Sequence, residues 1–195
     1  MNKDNITGLI LAGGKARRMG GIDKGLVPLK GEPMIKHVIK RLNPQVSEIL
    51  INANREIETY QGFGFTIIAD EISDFAGPLA GLHAGMKAAK TEFLLSVPCD
   101  SPLISEDLCA RLMAALEAQK SDIAVAKTGD QHHPVFCLCR TNLAQNLENF
   151  LNAGGRKVED WQKKHAYVEV SFDDNPLAFS NVNTPEELNM LEGES

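Results

Sequence analysis

Short apolar runs alternate with helical patterns along most of this chain, and this alternation most constrains what it can fold into. Apolar runs of strand length cover 7–12, 48–52, 65–69, 93–97, 123–127, 135–139 and 167–170. Helical spacing predicts helices from Pro33, over 79–89, over 105–119 with Ser105 as the N-cap, near 142–151 and 156–163, and from Pro185. Such alternation is typical of the α/β class, in which a mostly parallel sheet carries helices on both faces.

Length and composition narrow the class of protein further. At 195 residues, without repeats or linkers, the chain fits a single domain over 1–195. Its net charge of −6 argues against nucleic acid as a partner, and no apolar run approaches the ~20 residues that span a membrane. The four cysteines form no CxxC pair, so we expect buried free thiols and a cytoplasmic location.

The segment LAGGKARRMGGIDKGL, residues 11–26, overlaps the end of the first predicted strand and continues beyond it. Its glycines let the backbone approach an anion, while Lys15, Arg17, Arg18 and Lys24 supply positive charge within an acidic chain. The segment lacks both the GK[ST] of a Walker A loop and the GxGxxG of a dinucleotide site. We therefore predict a phosphate-binding loop of another class, with a basic surface loop as the alternative.

Polar residues end or follow other predicted strands, where open α/β sheets bind their ligands. Asn52, Asp70 and Asp100 occupy such positions, so we expect them at one edge of the sheet. Asp100 would offer Mg²⁺ a hard oxygen ligand beside substrate phosphates, with a solvated or capping aspartate as the alternative. Asn52 and Asp70 suit contacts to a base or ribose, although both residue types are also common in turns.

The sequence leaves the roles of two further segments open. The turn that contains Gly77 and Gly81 either passes close to a bound base or ribose or simply starts a helix at Pro78. The pair His132 and His133 precedes a predicted strand and is interpreted as an exposed loop.

Near the end of the chain, Thr184 and Glu187 have the spacing of a capping box. This explains those two residues structurally. It does not explain Asn181 and Asn183, which alternate to one face and remain available to a ligand.

Five segments of the chain closely resemble the motifs of the molybdenum cofactor guanylyltransferase family. In chain order they are LAGGKARRMGGIDKGL (11–26), ILINANR (49–55), GPLAGL (77–82), VPCDSP (97–102) and NVNTPEEL (181–188). The resemblance spans nearly the whole chain. It implies a Rossmann-like, mostly parallel three-layer sandwich of nucleotidyltransferase type. It also implies transfer of GMP from GTP to the terminal phosphate of molybdenum–molybdopterin, with release of pyrophosphate.

The resemblance also implies roles for single residues. Lys24, Arg18 and Asp100 would be catalytic, with Mg²⁺ at Asp100, and Asn181 and Asn183 would lie on the pterin side. The residues implied for GTP are Leu11, Ala12, Gly13, Lys24, Asn52, Asp70 and Asp100. The double glycine 13–14 resembles the guanylyl form of the motif more than its cytidylyl relatives.

The expected partners follow from the same resemblance. They are GTP and molybdenum–molybdopterin, then proteins of molybdopterin synthesis and chaperones of molybdoenzymes. Apart from the resemblance, we expect a monomer that binds neither nucleic acid nor membrane. Two alternatives stay open. One is a nucleotidyltransferase of the same fold that uses CTP or another acceptor, such as a sugar phosphate. The other is a non-catalytic nucleotide-binding module that delivers cofactor to partner enzymes.

Overall fold

The structure is a computed structural model and describes residues 3–13, 23–72, 77–184 and 187. Its strands are β1 (Ile6–Leu11), β2 (Pro28–Leu29), β3 (Glu32–Pro33), β4 (Glu48–Asn52), β5 (Thr66–Ile68), β6 (Phe93–Pro98), β7 (Ile123–Thr128), β8 (Gln131–Arg140) and β9 (Tyr167–Ser171). Its α-helices are α1 (Met34–Leu42), α2 (Ile57–Gln61), α3 (Pro78–Ala88), α4 (Leu108–Gln119), α5 (Ala144–Asn152) and α6 (Val158–Gln162).

One sheet of seven strands forms the centre of the described fold, in the order β5-β4-β1-β6-β8-β7-β9. Only β8 runs against its neighbours β6 and β7; the other pairings are parallel. In the centre of the sheet, Leu11 of β1 lies opposite Asn52 of β4 and Pro98 of β6. The ends of these strands therefore meet at one edge of the sheet. Because β4 lies on one side of β1 and β6 on the other, this is the position where the strand order reverses, and open α/β sheets bind their ligands there.

Helices cover both faces of the sheet and produce the predicted three layers. Alternate residues of each strand point to opposite faces, so Ile10 belongs to the core cluster that includes α1 and α4, while Leu9 belongs to the cluster that includes α3, α5 and α6. Gly85 of α3 lies so close to the sheet that a Cβ there would be 2.6 Å from Leu9. The aromatic side chains of Trp161, Phe172 and Phe179 are all buried in this core.

The prediction of an exposed loop at His132 and His133 is wrong, because β8 begins at Gln131 and includes both. Pro134 disfavours a central strand, which is why sequence patterning predicts a strand only from residue 135. The structure accommodates this proline at an irregularity, where the register of β7 with β8 jumps from Cys137 to His133.

The predicted start of the helix over 105–119 is also wrong. Helix α4 begins at Leu108, with Asp107 and not Ser105 at its N-cap. The Ser105 hydroxyl instead donates a hydrogen bond of 2.5 Å to Asp107. Helix α2 was not predicted, and the predicted helix from Pro185 lies largely outside the described residues. No helix in the described ranges is long and apolar enough to cross a membrane.

Candidate functional site

A cavity of about 460 Å³ lies beyond the carboxyl ends of β1, β4 and β6. All the residues that the family resemblance implied for GTP line it: Leu11, Ala12, Gly13, Lys24, Asn52, Asp70 and Asp100. Residues distant along the chain converge here because parallel strands bring their ends to one edge of the sheet. Arg18 and the glycines and cations of 14–22 lie outside the described residues.

The backbone at the end of β1 is held from both sides. The Ala12 amide donates to the Asn52 carbonyl at 2.8 Å, and the Cys99 amide donates to the Leu11 carbonyl at 3.1 Å. Gly13 then approaches the side chains at and just after the end of β4, since a Cβ there would lie 3.1 Å from Asn52 Oδ1 and 3.0 Å from Asn54 Nδ2. The first residues after β1 are thus fixed where they enter the cavity.

Asp70 and two asparagines form a polar network at the β4 side of the cavity. Asn52 and Asn54 each donate from Nδ2 to one carboxylate oxygen of Asp70, both at 2.9 Å, and the Asp70 amide donates to Asn54 Oδ1 at 2.9 Å. Asn52 is only 2% exposed. The network orients Asp70 at the cavity wall before any ligand arrives.

Gly81 supports this network in a way that sequence reasoning missed. A Cβ at Gly81 would collide with Asn52 Oδ1 and lie 2.6 Å from Leu11 Cδ2. The glycine therefore lets α3 approach the strand ends, and does not itself line the cavity. Gly77 does line it, and a Cβ there would meet no atom within 4 Å.

Lys24 joins segments that lie far apart in the sequence. Its Nζ donates to Asp100 Oδ2 at 2.9 Å and to Asn183 Oδ1 at 2.5 Å. The Lys24 side chain is 31% exposed and that of Asp100 10%, so the pair is only partly screened by solvent. An ammonium and a carboxylate at a cavity wall can contact phosphate oxygens and a cation, respectively.

The segment before Glu187 is held against the end of β6. The Val182 amide donates to the Asp100 carbonyl at 2.8 Å, and the Ser101 hydroxyl donates to Asn181 Oδ1 at 2.6 Å. The capping box is confirmed, because Glu187 accepts from the Thr184 amide at 3.1 Å and donates its own amide to Thr184 Oγ1 at 3.2 Å. Its geometry presents the segment 181–183 to the site.

Beneath Lys24 lies a buried pair that motif analysis did not find. The Tyr60 hydroxyl donates to Asp23 Oδ1 at 2.5 Å, and the Gly25 amide donates to the same oxygen at 3.3 Å. Desolvation raises the pKa of the Asp23 carboxyl, although these two hydrogen bonds oppose the shift. Tyr60 is fully buried, and burial raises the pKa of its hydroxyl.

A second cavity of about 650 Å³ adjoins the first and shares Pro98, Val135 and Asn181 with it. Asn183 and His132 also line this cavity. The two predicted asparagines therefore lie at the boundary: Asn181 in both cavities, Asn183 between Lys24 and the second.

Aromatic rings form one wall of the second cavity. The His133 ring stacks on Phe179 with centroids 4.6 Å apart, and Phe136 meets Phe179 edge-on at 4.9 Å. His133 Nε2 lies 2.8 Å from Thr128 Oγ1. Burial and the neighbouring His132 lower the pKa of His133, so its ring is neutral near pH 7. The rings of this wall are therefore uncharged near pH 7.

Within the described ranges, no three or more His, Cys, Asp and Glu side chains are grouped to hold a metal ion. Mg²⁺ usually takes one or two protein carboxylates together with substrate phosphates and water. Lys24 occupies one oxygen of Asp100, and the chemistry of the other, a hard carboxylate oxygen at the cavity wall, suits such a site.

A mostly parallel α/β sheet with a polar cavity at its strand ends is common to many nucleotide-binding proteins, and comparison with known proteins identifies the class here as the nucleotidyltransferases. The model of the MobA-like NTP transferase domain matches residues 8–168. The chain is 23% identical to the molybdopterin-guanine dinucleotide biosynthesis protein A of Archaeoglobus fulgidus, whose crystal structure superposes with a TM-score of 0.79 over 95% of this chain and 96% of that one.

Curated relatives narrow the class to one family. The chain is 54% identical to a molybdenum cofactor guanylyltransferase of a Shewanella species, over 95% of each chain. It is 47% identical to a protein of the same name from Cupriavidus metallidurans, over 100% of this chain and 98% of that one. The chain belongs to the molybdenum cofactor guanylyltransferase family.

Proposed function

We propose that this protein transfers GMP from GTP to the terminal phosphate of molybdenum–molybdopterin, giving the guanine dinucleotide cofactor and pyrophosphate. One observation carries the proposal: the residues implied for GTP line a single cavity, and a second cavity opens beside it. A transfer between two substrates needs two adjoining sites of this kind. The names of the relatives support the choice of nucleotide and acceptor.

The first cavity would take GTP. The backbone of Leu11, Ala12 and Gly13 would contact the nucleotide at the end of β1, and Asn52 with Asp70 would contact its base or ribose. Asp70 suits hydrogen-bond donors on the ligand because a carboxylate only accepts. The amides that already hold Asp70 set its orientation.

Lys24, Arg18 and a Mg²⁺ ion held by Asp100 would neutralise the phosphates. Lys24 would contact phosphate oxygens, and Asp100 would hold Mg²⁺ through its carboxylate. The ion, when bound, supplies positive charge to the triphosphate and the leaving pyrophosphate. Arg18 belongs to the basic loop and would add a second cation.

The second cavity would take the acceptor, with Asn181 and Asn183 on its pterin side. Both asparagines carry amide donors and acceptors at the boundary where the acceptor phosphate must meet GTP. Asn183 also accepts a hydrogen bond from Lys24. Its side chain would therefore connect the acceptor to the lysine that contacts the GTP phosphates.

The reaction needs positioning more than proton transfer. An oxygen of the acceptor phosphate forms a bond to the α-phosphorus of GTP, the bond from that phosphorus to the α–β bridging oxygen breaks, and its electron pair leaves with pyrophosphate. The attacking phosphate is already ionised near neutral pH, so no general base is required. Holding two anions in line and neutralising their repulsion is the main work.

Pyrophosphate release with Mg²⁺ and each of GTP, CTP, ATP and UTP in turn, with either molybdenum–molybdopterin or a sugar phosphate as the acceptor, tests this function. We expect release with GTP. Release with CTP would keep the fold and mechanism but contradict the guanylyl assignment, and release only with a sugar phosphate would contradict the acceptor. Nucleotide binding without release under any pairing would favour a carrier module instead.

We propose in addition a single-domain, monomeric enzyme in the cytoplasm. The four cysteines are buried free thiols, as expected in a reducing compartment. Proteins of molybdopterin synthesis would deliver the acceptor, and chaperones of molybdoenzymes would receive the product. Gel filtration with light scattering would test the monomer.

A further inference from the structure

We propose that Tyr60 and Asp23 form a positioning pair, which holds the Lys24 turn in place beneath the transferred phosphate. The inference rests on the proposed function, because it concerns how the catalytic lysine is held. Tyr60 lies on α2, outside every motif that the sequence analysis singled out. Its link to the site is visible only in the fold.

The contacts run from α2 to the lysine through one carboxylate. Asp23 caps the short 3-10 turn Lys24–Leu26, and its Oδ1 accepts both the Gly25 amide at 3.3 Å and the Tyr60 hydroxyl at 2.5 Å. The Leu26 amide closes the turn on the Asp23 carbonyl at 2.9 Å. Asp23 directly precedes Lys24, so a shift of its carboxylate would move the lysine backbone.

The other end of Lys24 is held as well. Its Nζ lies 2.9 Å from Asp100 Oδ2 and 2.5 Å from Asn183 Oδ1. A long flexible side chain keeps one position only when both its backbone and its charged end are fixed. The Tyr60–Asp23 pair supplies the first of these constraints, and the polar atoms of the cavity supply the second.

Close packing makes the pair a rigid support. A Cβ at Gly25 would lie 2.8 Å from the Tyr60 hydroxyl and 3.2 Å from Cys99 Cβ, so the turn rests directly on both residues. Asp23 is 7% exposed and Tyr60 is fully buried. Water therefore has little access to replace the tyrosine hydroxyl once it is removed.

The test is Tyr60→Phe, which deletes the hydroxyl and keeps the ring. We expect kcat for pyrophosphate release to fall about tenfold while KM for GTP stays within about twofold, because a small misplacement of a catalytic group slows the chemical step. Amide hydrogen exchange over residues 23–27 should become faster. Wild-type kcat together with wild-type exchange in that segment would overturn the proposal.

The other tyrosine of the chain provides a matched control. Tyr167 also donates to a carboxylate, Glu169 at 2.7 Å, but at the β9 edge of the sheet. Tyr167→Phe should leave exchange over 23–27 unchanged. An equal acceleration there in both variants would mean a general loss of stability, and would overturn a specific role for Tyr60.

Asp23 gives a second test that does not depend on how Tyr60→Phe folds. Asp23→Asn keeps an oxygen that accepts from Tyr60 and Gly25, whereas Asp23→Ala removes it. We expect Asp23→Asn to retain at least about tenfold more kcat than Asp23→Ala. Equal losses would show that hydrogen-bonded positioning is not what the residue provides, and would overturn the proposal.

Failure of the proposed function would be recognised separately. If the wild-type protein releases no pyrophosphate from any nucleotide, the assigned reaction is wrong. The exchange measurement over 23–27 needs no activity and still decides whether Tyr60 holds the turn.

Discussion

Lys24 carries much of the proposed electrostatic stabilisation, because its ammonium lies at the cavity wall between Asp100 and Asn183. Lys24→Ala should lower kcat for pyrophosphate release by about 10²–10³, the usual cost of removing one preorganised charge or donor from a transition state. Thermal unfolding should show that the fold is retained. Lys36→Ala is the control, since Lys36 forms only an exposed pair with Glu32. Near-normal turnover of Lys24→Ala would contradict the role.

Two glycines at the start of α3 allow a paired test of the asparagine network. Gly81→Ala would place a Cβ against Asn52 and Leu11, so we expect a loss of about 1–3 kcal/mol in the free energy of unfolding and a higher KM for GTP. Gly77→Ala meets open space and should leave the unfolding free energy nearly unchanged. Chemical denaturation of both variants measures the difference, and equal stabilities would contradict this packing role of Gly81.

At the scale of elements, the pattern of apolar residues predicts most strands and helices, and local exceptions explain the misses. The strand β8 was predicted too short because Pro134 cannot donate to a sheet, and only the irregular pairing with β7 accommodates it. Helix α2 has five residues and begins after Glu56 at a positive φ of 52°, a conformation that no local pattern announces.

The burial of His83 at the interface of α3 with α5 predicts that the free energy of unfolding depends on pH. His83 is 1% exposed and neither ring nitrogen has a hydrogen-bond partner. Burial lowers the pKa of His83, although Glu148 of α5, whose Oε2 lies 3.8 Å from His83 Nε2, opposes the shift. The unfolded chain, with a histidine pKa near 6.5, then binds more protons than the folded one below that pH. Stability should therefore decrease as the pH falls through about 6.5, by up to about 1.4 kcal/mol per unit for this residue.

His83→Leu should remove that contribution and flatten the dependence. Urea unfolding at pH 5.5 and 7.5 measures it in both proteins. Burial also lowers the pKa of His133 and His165, so part of the slope should remain in the variant. An identical slope in the wild type and the variant would show that His83 does not titrate differently on unfolding.

At the scale of the whole molecule, the residues that line the first cavity could be predicted from the sequence, but the residues that hold them in place could not. Polar residues at or just after a strand end, such as Asn52 and Asp100, can be recognised in a sequence because a buried strand produces an apolar run before them. The Tyr60–Asp23 pair and the stack of His133 on Phe179 are not, since each joins segments whose contact depends on how helices and strands pack. The polar residues near strand ends can thus be predicted from local sequence patterns, whereas the residues that support them can be identified only from the tertiary structure.

The first cavity draws its walls from β1, the Lys24 turn, β4 and β6, so a ligand there should stabilise much of the fold at once. At a GTP concentration about 100 times Kd, binding to the folded state alone adds about 2.7 kcal/mol. For a chain of this length that corresponds to a rise in Tm of about 5–10 °C. Thermal unfolding with GTP and Mg²⁺ should show this rise, with a smaller one for CTP at equal concentration. Asn52→Ala should reduce the shift with GTP, because the amide that orients Asp70 is lost; an undiminished shift would mean that the nucleotide binds elsewhere.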